Sequence, residues 1–202
     1  MSKWEMKGKP ALVLLHMQEG ISGEHGNIPG LAEAIKENNV IARQKTLLKA
    51  FRDRKLPVIY IRALHVTSEQ NPAGALPAYG ELFRLIEIAK PTPNNLEIIA
   101  ELAPQAGEPV LTNWIIGAFN NSGLDQVLKA KGAETLVMAG CVTHIAVYTA
   151  ALQAVDLMYS VIIAADACTA PSSQAEAEKV VLDIMAPNIA LVTSTEDVIA
   201  HL

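Results

Sequence analysis

Six short apolar runs alternate with helical stretches along these 202 residues, and that alternation leaves few folds open. Strands buried on both faces have no polar side, so they read as continuous apolar runs. Ala11-Leu12-Val13-Leu14-Leu15 and Val161-Ile162-Ile163-Ala164-Ala165 have that form. Val58-Ile59-Tyr60-Ile61 (entered through Pro57), Pro109 to Thr112, Glu134 to Ala139 and Ile189 to Val192 complete the set. Repetition of strand and helix gives a parallel sheet covered by helices on both faces. The expected architecture is a three-layer α/β/α domain with a doubly wound, mostly parallel six-stranded sheet. No internal repeat, low-complexity tract or linker divides residues 1–202, which read as one domain.

The helices follow from periodicity and end signals. Leu31 to Arg54 reads as one long helix: Val40 with Leu47 and Ile41 with Leu48 recur two turns apart, and Phe51 continues the stripe. Ser122 is placed to cap a helix that runs through Lys131 and stops at Gly132. Thr143 is placed as the N-cap of a central helix to about Tyr159. Ser173-Gln174-Ala175-Glu176 has the form of a capping box for a helix stopped near Pro187. Glu196 to Leu202 gives a last helical turn. His65 to Pro93 carries Pro72, Pro77, Pro91 and Pro93, so it reads as a long irregular loop and a candidate pocket wall.

Charge and residue usage exclude several classes. A formal charge of −5 without a Lys/Arg cluster argues against nucleic acid or an anionic membrane as partner. No apolar run is long enough to span a bilayer, and Met1 to Lys7 is unlike a secretory signal, so the expected location is cytoplasmic. Cys141 and Cys168 alone make no disulfide framework. The five histidines show no metal-ligand spacing, and no metal or cofactor is expected.

The run from Val137 to Val147 (Val-Met-Ala-Gly-Cys-Val-Thr-His-Ile-Ala-Val) has the form of a strand, a tight turn and a helix start. It resembles the nucleophile turn of the isochorismatase-like hydrolases, the family that includes nicotinamidases and other small-amide hydrolases. That turn reads roughly Gly-Val-x-Thr-x-x-Cys-Val, with the cysteine as nucleophile. Further fragments extend the likeness over most of the chain: Leu14-Leu15-His16-Met17-Gln18, Glu101-Leu102-Ala103-Pro104-Gln105, Gly107-Glu108-Pro109-Val110, the pair Asn113 and Phe119, and Asp166-Ala167-Cys168. The family's Asp, Lys and Cys map onto His16, Asn113 and Ala146, and all three differ. Ala146 has no nucleophile, so a covalent thioacyl route through that position is excluded on chemical grounds. The resemblance also implies an oxyanion hole from the backbone N–H groups of Val142 and Ala146, a cis peptide at Cys141–Val142, and a homo-oligomer. Nicotinamidases place an Asp-x-His metal site after the second strand, and Arg62-Ala63-Leu64-His65 lacks the Asp.

Of the remaining chemistry, His16 is the sharpest candidate. It stands at the carboxyl end of the first strand, where open parallel sheets bind ligands, and imidazole moves protons near neutrality. Asn113 either orients the substrate carbonyl or the His16 ring, or satisfies strand-end backbone groups. Cys141 lies three residues before His144, which allows Cys–His chemistry, whereas a free cysteine there also packs as a small apolar residue. Met17, Trp114, Ile115, Ile116 and Phe119 flank these positions, with Tyr79 expected to close over them from the loop. Such walls suit an apolar or aromatic small molecule; Ile115 and Ile116 read equally as core or interface residues. Two functions stay open: an enzyme using His16 for acid/base chemistry, by hydrolysis or by isomerisation or elimination, and an inactive binding or structural homologue.

Overall fold

The computed structural model describes residues 4–64, 93–114 and 116–202. Its elements, in chain order, are β1 (Pro10–Leu15), α1 (Glu19–Ser22), α2 (Leu31–Glu37), α3 (Val40–Asp53), β2 (Val58–Ala63) and α4 (Pro93–Leu96). They continue with β3 (Val110–Asn113), α5 (Leu124–Lys131), β4 (Thr135–Cys141), α6 (Tyr148–Asp156), β5 (Ser160–Thr169), α7 (Ala175–Val180), β6 (Leu191–Thr193) and α8 (Thr195–Ala200). The loop expected over residues 65–93, with Tyr79, lies almost wholly outside the described residues, as does Ile115.

Among the described residues all five strand pairings are parallel, in the order β3-β2-β1-β4-β5-β6. The sheet is thus wholly parallel, as its continuous apolar strands require: every residue of β1 and β4 is buried. The chain builds outward from β1 to β3, then returns to lay β4 beside β1 and builds outward the other way. Strand order therefore reverses between β1 and β4, and the crevice at their carboxyl ends is where such sheets take ligands.

Alternate residues of the central strands feed two cores. Leu12 and Leu14 join Val137, Ala139 and the Leu47 and Phe51 face of α3. Val13 and Leu15 join Leu136 and Met138, Leu128 of α5, and Ala150 and Ala154 of α6. The small α6 residues let that helix lie close to the sheet behind the β4 turn.

Several boundaries differ from the sequence reading. The long first helix divides at Asn39, whose φ of 53° breaks the helical path while the apolar stripe resumes in α3; asparagine tolerates that left-handed state better than most residues. Thr143 does not cap the central helix with its side chain. It opens a π-helical turn, Thr143–Val147, and donates its hydroxyl to Glu178 Oε1 at 2.5 Å. The capping box at Ser173 is likewise absent: a 3₁₀ turn, Ser172–Gln174, precedes α7, and no side chain caps it. The N-cap of α5 is Gly123 rather than Ser122, whose Oγ accepts the Leu124 amide at 3.1 Å from one residue further back, and Gly132 ends the helix with a φ of 67°. β5 runs past its apolar run to Thr169, because a register irregularity re-pairs Gly140 with Cys168 and Cys141 with Thr169. Among the described residues no helix is long and apolar enough to cross a membrane.

Candidate active site at the carboxyl ends of β1, β3 and β4

His16 follows the last residue of β1. Its amide extends the ladder by donating to the Ile61 carbonyl at 2.8 Å, and its φ then turns to 55°. A left-handed backbone costs a non-glycine residue roughly 1–2 kcal/mol, so the surroundings must hold it there. The turn carries the ring across β2 to the end of β3, where Nε2 lies 3.1 Å from Asn113 Oδ1. Both groups are buried, His16 at 4% and Asn113 at 0% exposure.

The pair has a defined polarity. Asn113 Nδ2 donates to the Gly117 carbonyl at 3.1 Å, and a carbonyl only accepts. That fixes the amide with Oδ1 toward His16, so Nε2 carries the hydrogen. In the neutral ring the basic nitrogen is then Nδ1.

The β4 turn forms the facing wall. Gly140 has a φ of 136°, and a Cβ there would stand 2.2 Å from the Leu15 carbonyl oxygen, so β1 and β4 approach at this point only because position 140 is glycine. The Cys141–Val142 peptide is cis. The Val142 carbonyl accepts the Ile145 amide at 3.1 Å and the Ala146 amide at 2.9 Å. An oxyanion at Ala146 would therefore share a donor already engaged by the helix start. Ala146 is buried and offers no reactive group.

Cys141 is fully buried, and burial pushes its thiol up to about 12. It stays an S–H at neutral pH and lacks the thiolate that nucleophilic chemistry needs. Its Sγ lies 3.5 Å from the His16 carbonyl oxygen. His144, two residues before Ala146, is half-buried; desolvation lowers its imidazole below the ordinary value, and the Glu178 charge offsets this in part. Its Nδ1 has no hydrogen-bond partner among the described residues.

The proposed pocket residues disperse. Trp114, directly after Asn113, is 40% exposed at the β3 end. Met17 is buried in the α3-side core, and its carbonyl accepts the Ile99 amide at 3.1 Å. Phe119 packs on the α5–α6 side against Tyr159, ring centroids 6.3 Å apart. Within the described residues the structure thus brings together His16, Asn113 and Cys141, and gives Met17 and Phe119 core partners.

Two residues beyond those candidates shape the site. Buried Gln18 donates to the Ala63 carbonyl at 3.1 Å and the Asn95 carbonyl at 3.0 Å, and accepts the Ala63 amide at 2.7 Å. Ser22 Oγ lies 3.2 Å from the His16 carbonyl and 3.1 Å from that of Gln18. A glutamine just past an apolar strand is a signal for Gln18; nothing in the sequence marks Ser22. Among the described residues no cluster of three or more His, Cys, Asp or Glu is placed to hold a metal ion.

A wholly parallel, doubly wound sheet with a buried polar pair and a tight glycine turn at its switch point defines an α/β protein with a candidate ligand site at its strand ends. The chain belongs to the isochorismatase family: the Isochorismatase domain matches residues 10–197. Similar relatives include the phenazine biosynthesis protein PhzD of Pseudomonas fluorescens, 24% identical over 98% of this chain and 89% of that protein. The secreted isochorismatase effector Isc1 of Verticillium dahliae is 30% identical over 66% of this chain and 63% of its own length, so the match spans under two thirds of that protein. An isochorismatase family protein from Burkholderia thailandensis superposes with a TM-score of 0.75 at 28% identity, covering 98% of this chain and 97% of that one.

Proposed function

We propose that this isochorismatase-family protein is an enzyme acting on a small, apolar or aromatic molecule by non-covalent acid/base chemistry, with His16 as the proton-transfer group. The observation that carries the reading is the buried contact of His16 Nε2 with Asn113 Oδ1 at 3.1 Å, whose amide is in turn held by Gly117. An imidazole fixed in one tautomer is what a general base or acid needs, because its basic nitrogen then keeps a constant position. As base, Nδ1 removes a proton from a water molecule while its oxygen attacks a bound carbonyl, and later returns the proton to the leaving group. As acid, the protonated ring gives a proton to an enol-ether carbon before water adds.

Position 146 supports the non-covalent route, since alanine forms no bond to substrate. Exposed Trp114 beside Asn113 supports an apolar or aromatic substrate. The backbone N–H of Val142 would help polarise the substrate.

The test is a turnover screen of the wild type over small esters, amides, enolisable ketones and vinyl ethers, isochorismate included, with mass detection of products and of intact protein. Conversion of one class with an unmodified protein mass during turnover is the expected result. A covalent adduct would overturn the mechanism. Binding without conversion of any class would make the protein a ligand-binding homologue.

A further inference from the structure

His16 meets the sheet through its amide and two side chains through its carbonyl. The amide stays in the ladder, donating to Ile61 at 2.8 Å. The carbonyl faces Cys141 Sγ at 3.5 Å from the β4 turn and Ser22 Oγ at 3.2 Å from α1. Between these anchors the residue takes its left-handed φ of 55°, and that conformation aims the ring at Asn113. Ser22 has a second acceptor, the Gln18 carbonyl at 3.1 Å, so its one hydrogen is divided between two oxygens. The Cys141 thiol makes no other hydrogen bond among the described residues, and burial keeps it protonated as a standing donor.

We propose that Cys141 is a positioning residue: its thiol, assisted by Ser22, holds the His16 carbonyl out of the strand and so fixes the ring against Asn113. This rests on the reading of His16 as the proton-transfer group. It assigns the buried sulfur of the turn to aligning a histidine across the β1–β4 gap rather than to attacking substrate. The arrangement links the two walls of the switch point through one carbonyl oxygen. A hydroxyl at 141 would serve the same purpose; an apolar side chain of similar size would not.

The experiment is ¹⁵N NMR of the histidine-labelled full chain at neutral pH, with the His16 ring signals assigned by their loss in His16→Gln. The wild type is expected to show His16 as the Nε2–H tautomer. Cys141→Ala should lower the ratio of that tautomer to the other by about threefold or more, the scale of losing one weak buried hydrogen bond. Cys141→Ser should keep the wild-type ratio. Cys141→Val fills the site without a donor and repeats the test if the smaller side chain prevents folding. A ratio unchanged in the folded Ala or Val variant overturns the proposal, as does a serine variant that behaves like them. Because this readout needs no turnover, its failure is separable from failure of the acid/base role, which is read from rates in His16→Ala.

Discussion

The two walls of the switch point hold their shape by different means. On the β4 side the shape is backbone: Gly140 at a φ of 136°, a cis peptide and a π-helical turn, with no room for a Cβ between Gly140 and the Leu15 backbone. On the β1–β3 side the shape is side chain: His16, Asn113 and Gly117 form a buried chain of hydrogen bonds. A backbone wall tolerates a change of side chain at Ala146, because close strand packing requires the turn whatever chemistry sits on it. A side-chain wall does not, since each buried polar group depends on its partner. The chemistry of this protein is therefore to be sought on the β1–β3 side.

The largest effect expected from breaking this contrast is at Gly140. Gly140→Ala sets a Cβ against the Leu15 backbone in a region of φ hostile to L side chains, and should cost on the order of 3 kcal/mol or more in urea unfolding. A loss below about 1 kcal/mol would mean that β1 and β4 separate easily. Next comes Asn113→Ala, which leaves His16 Nε2 without this acceptor and the Gly117 carbonyl without its donor. About 1–3 kcal/mol of destabilisation is expected in the same assay, the usual cost of stranding buried polar groups.

A finer prediction concerns pH. Burial lowers the His144 imidazole in the folded protein, so the unfolded chain takes up that proton first, near pH about 6.5. Stability from this group is complete above that value and is lost as pH falls through the folded midpoint. His144→Gln should flatten the fall of the urea midpoint below pH about 6.5 relative to the wild type; parallel curves would contradict the assignment. The smallest effect is expected at the exposed Lys49–Asp53 pair, where Lys49→Ala should change stability by less than about 0.5 kcal/mol.

The fold was legible because parallel strands advertise themselves as unbroken apolar runs, as β1 and β4 do. Gly132 and Ser122 were legible for the same local reason: each does its work within a few residues of its own position. The division at Asn39 was not, because Leu31 and Ile35 before it and Val40, Leu47 and Phe51 after it enter the same core. Thr143 misled because its hydroxyl finds Glu178, 35 residues on, a tertiary partner that outcompetes the local cap. In the site, His16 and Asn113 are singled out by the family resemblance, which gives neither their contact across 97 residues nor its polarity, which depends on the Gly117 carbonyl. The family pattern pairs Phe119 with Asn113; its ring packs against Tyr159 on the α5–α6 side instead.

The central claim is that proton transfer resides on His16 while position 146 forms no bond to substrate. The most direct measurement is kcat/KM for the compound converted in the screen, with wild type, His16→Ala and the Lys49→Ala control run side by side. A loss of roughly a hundredfold or more in His16→Ala alone is predicted, the scale of removing a general acid/base. Equal rates in all three proteins would contradict it and move the chemistry away from the β1–β3 wall.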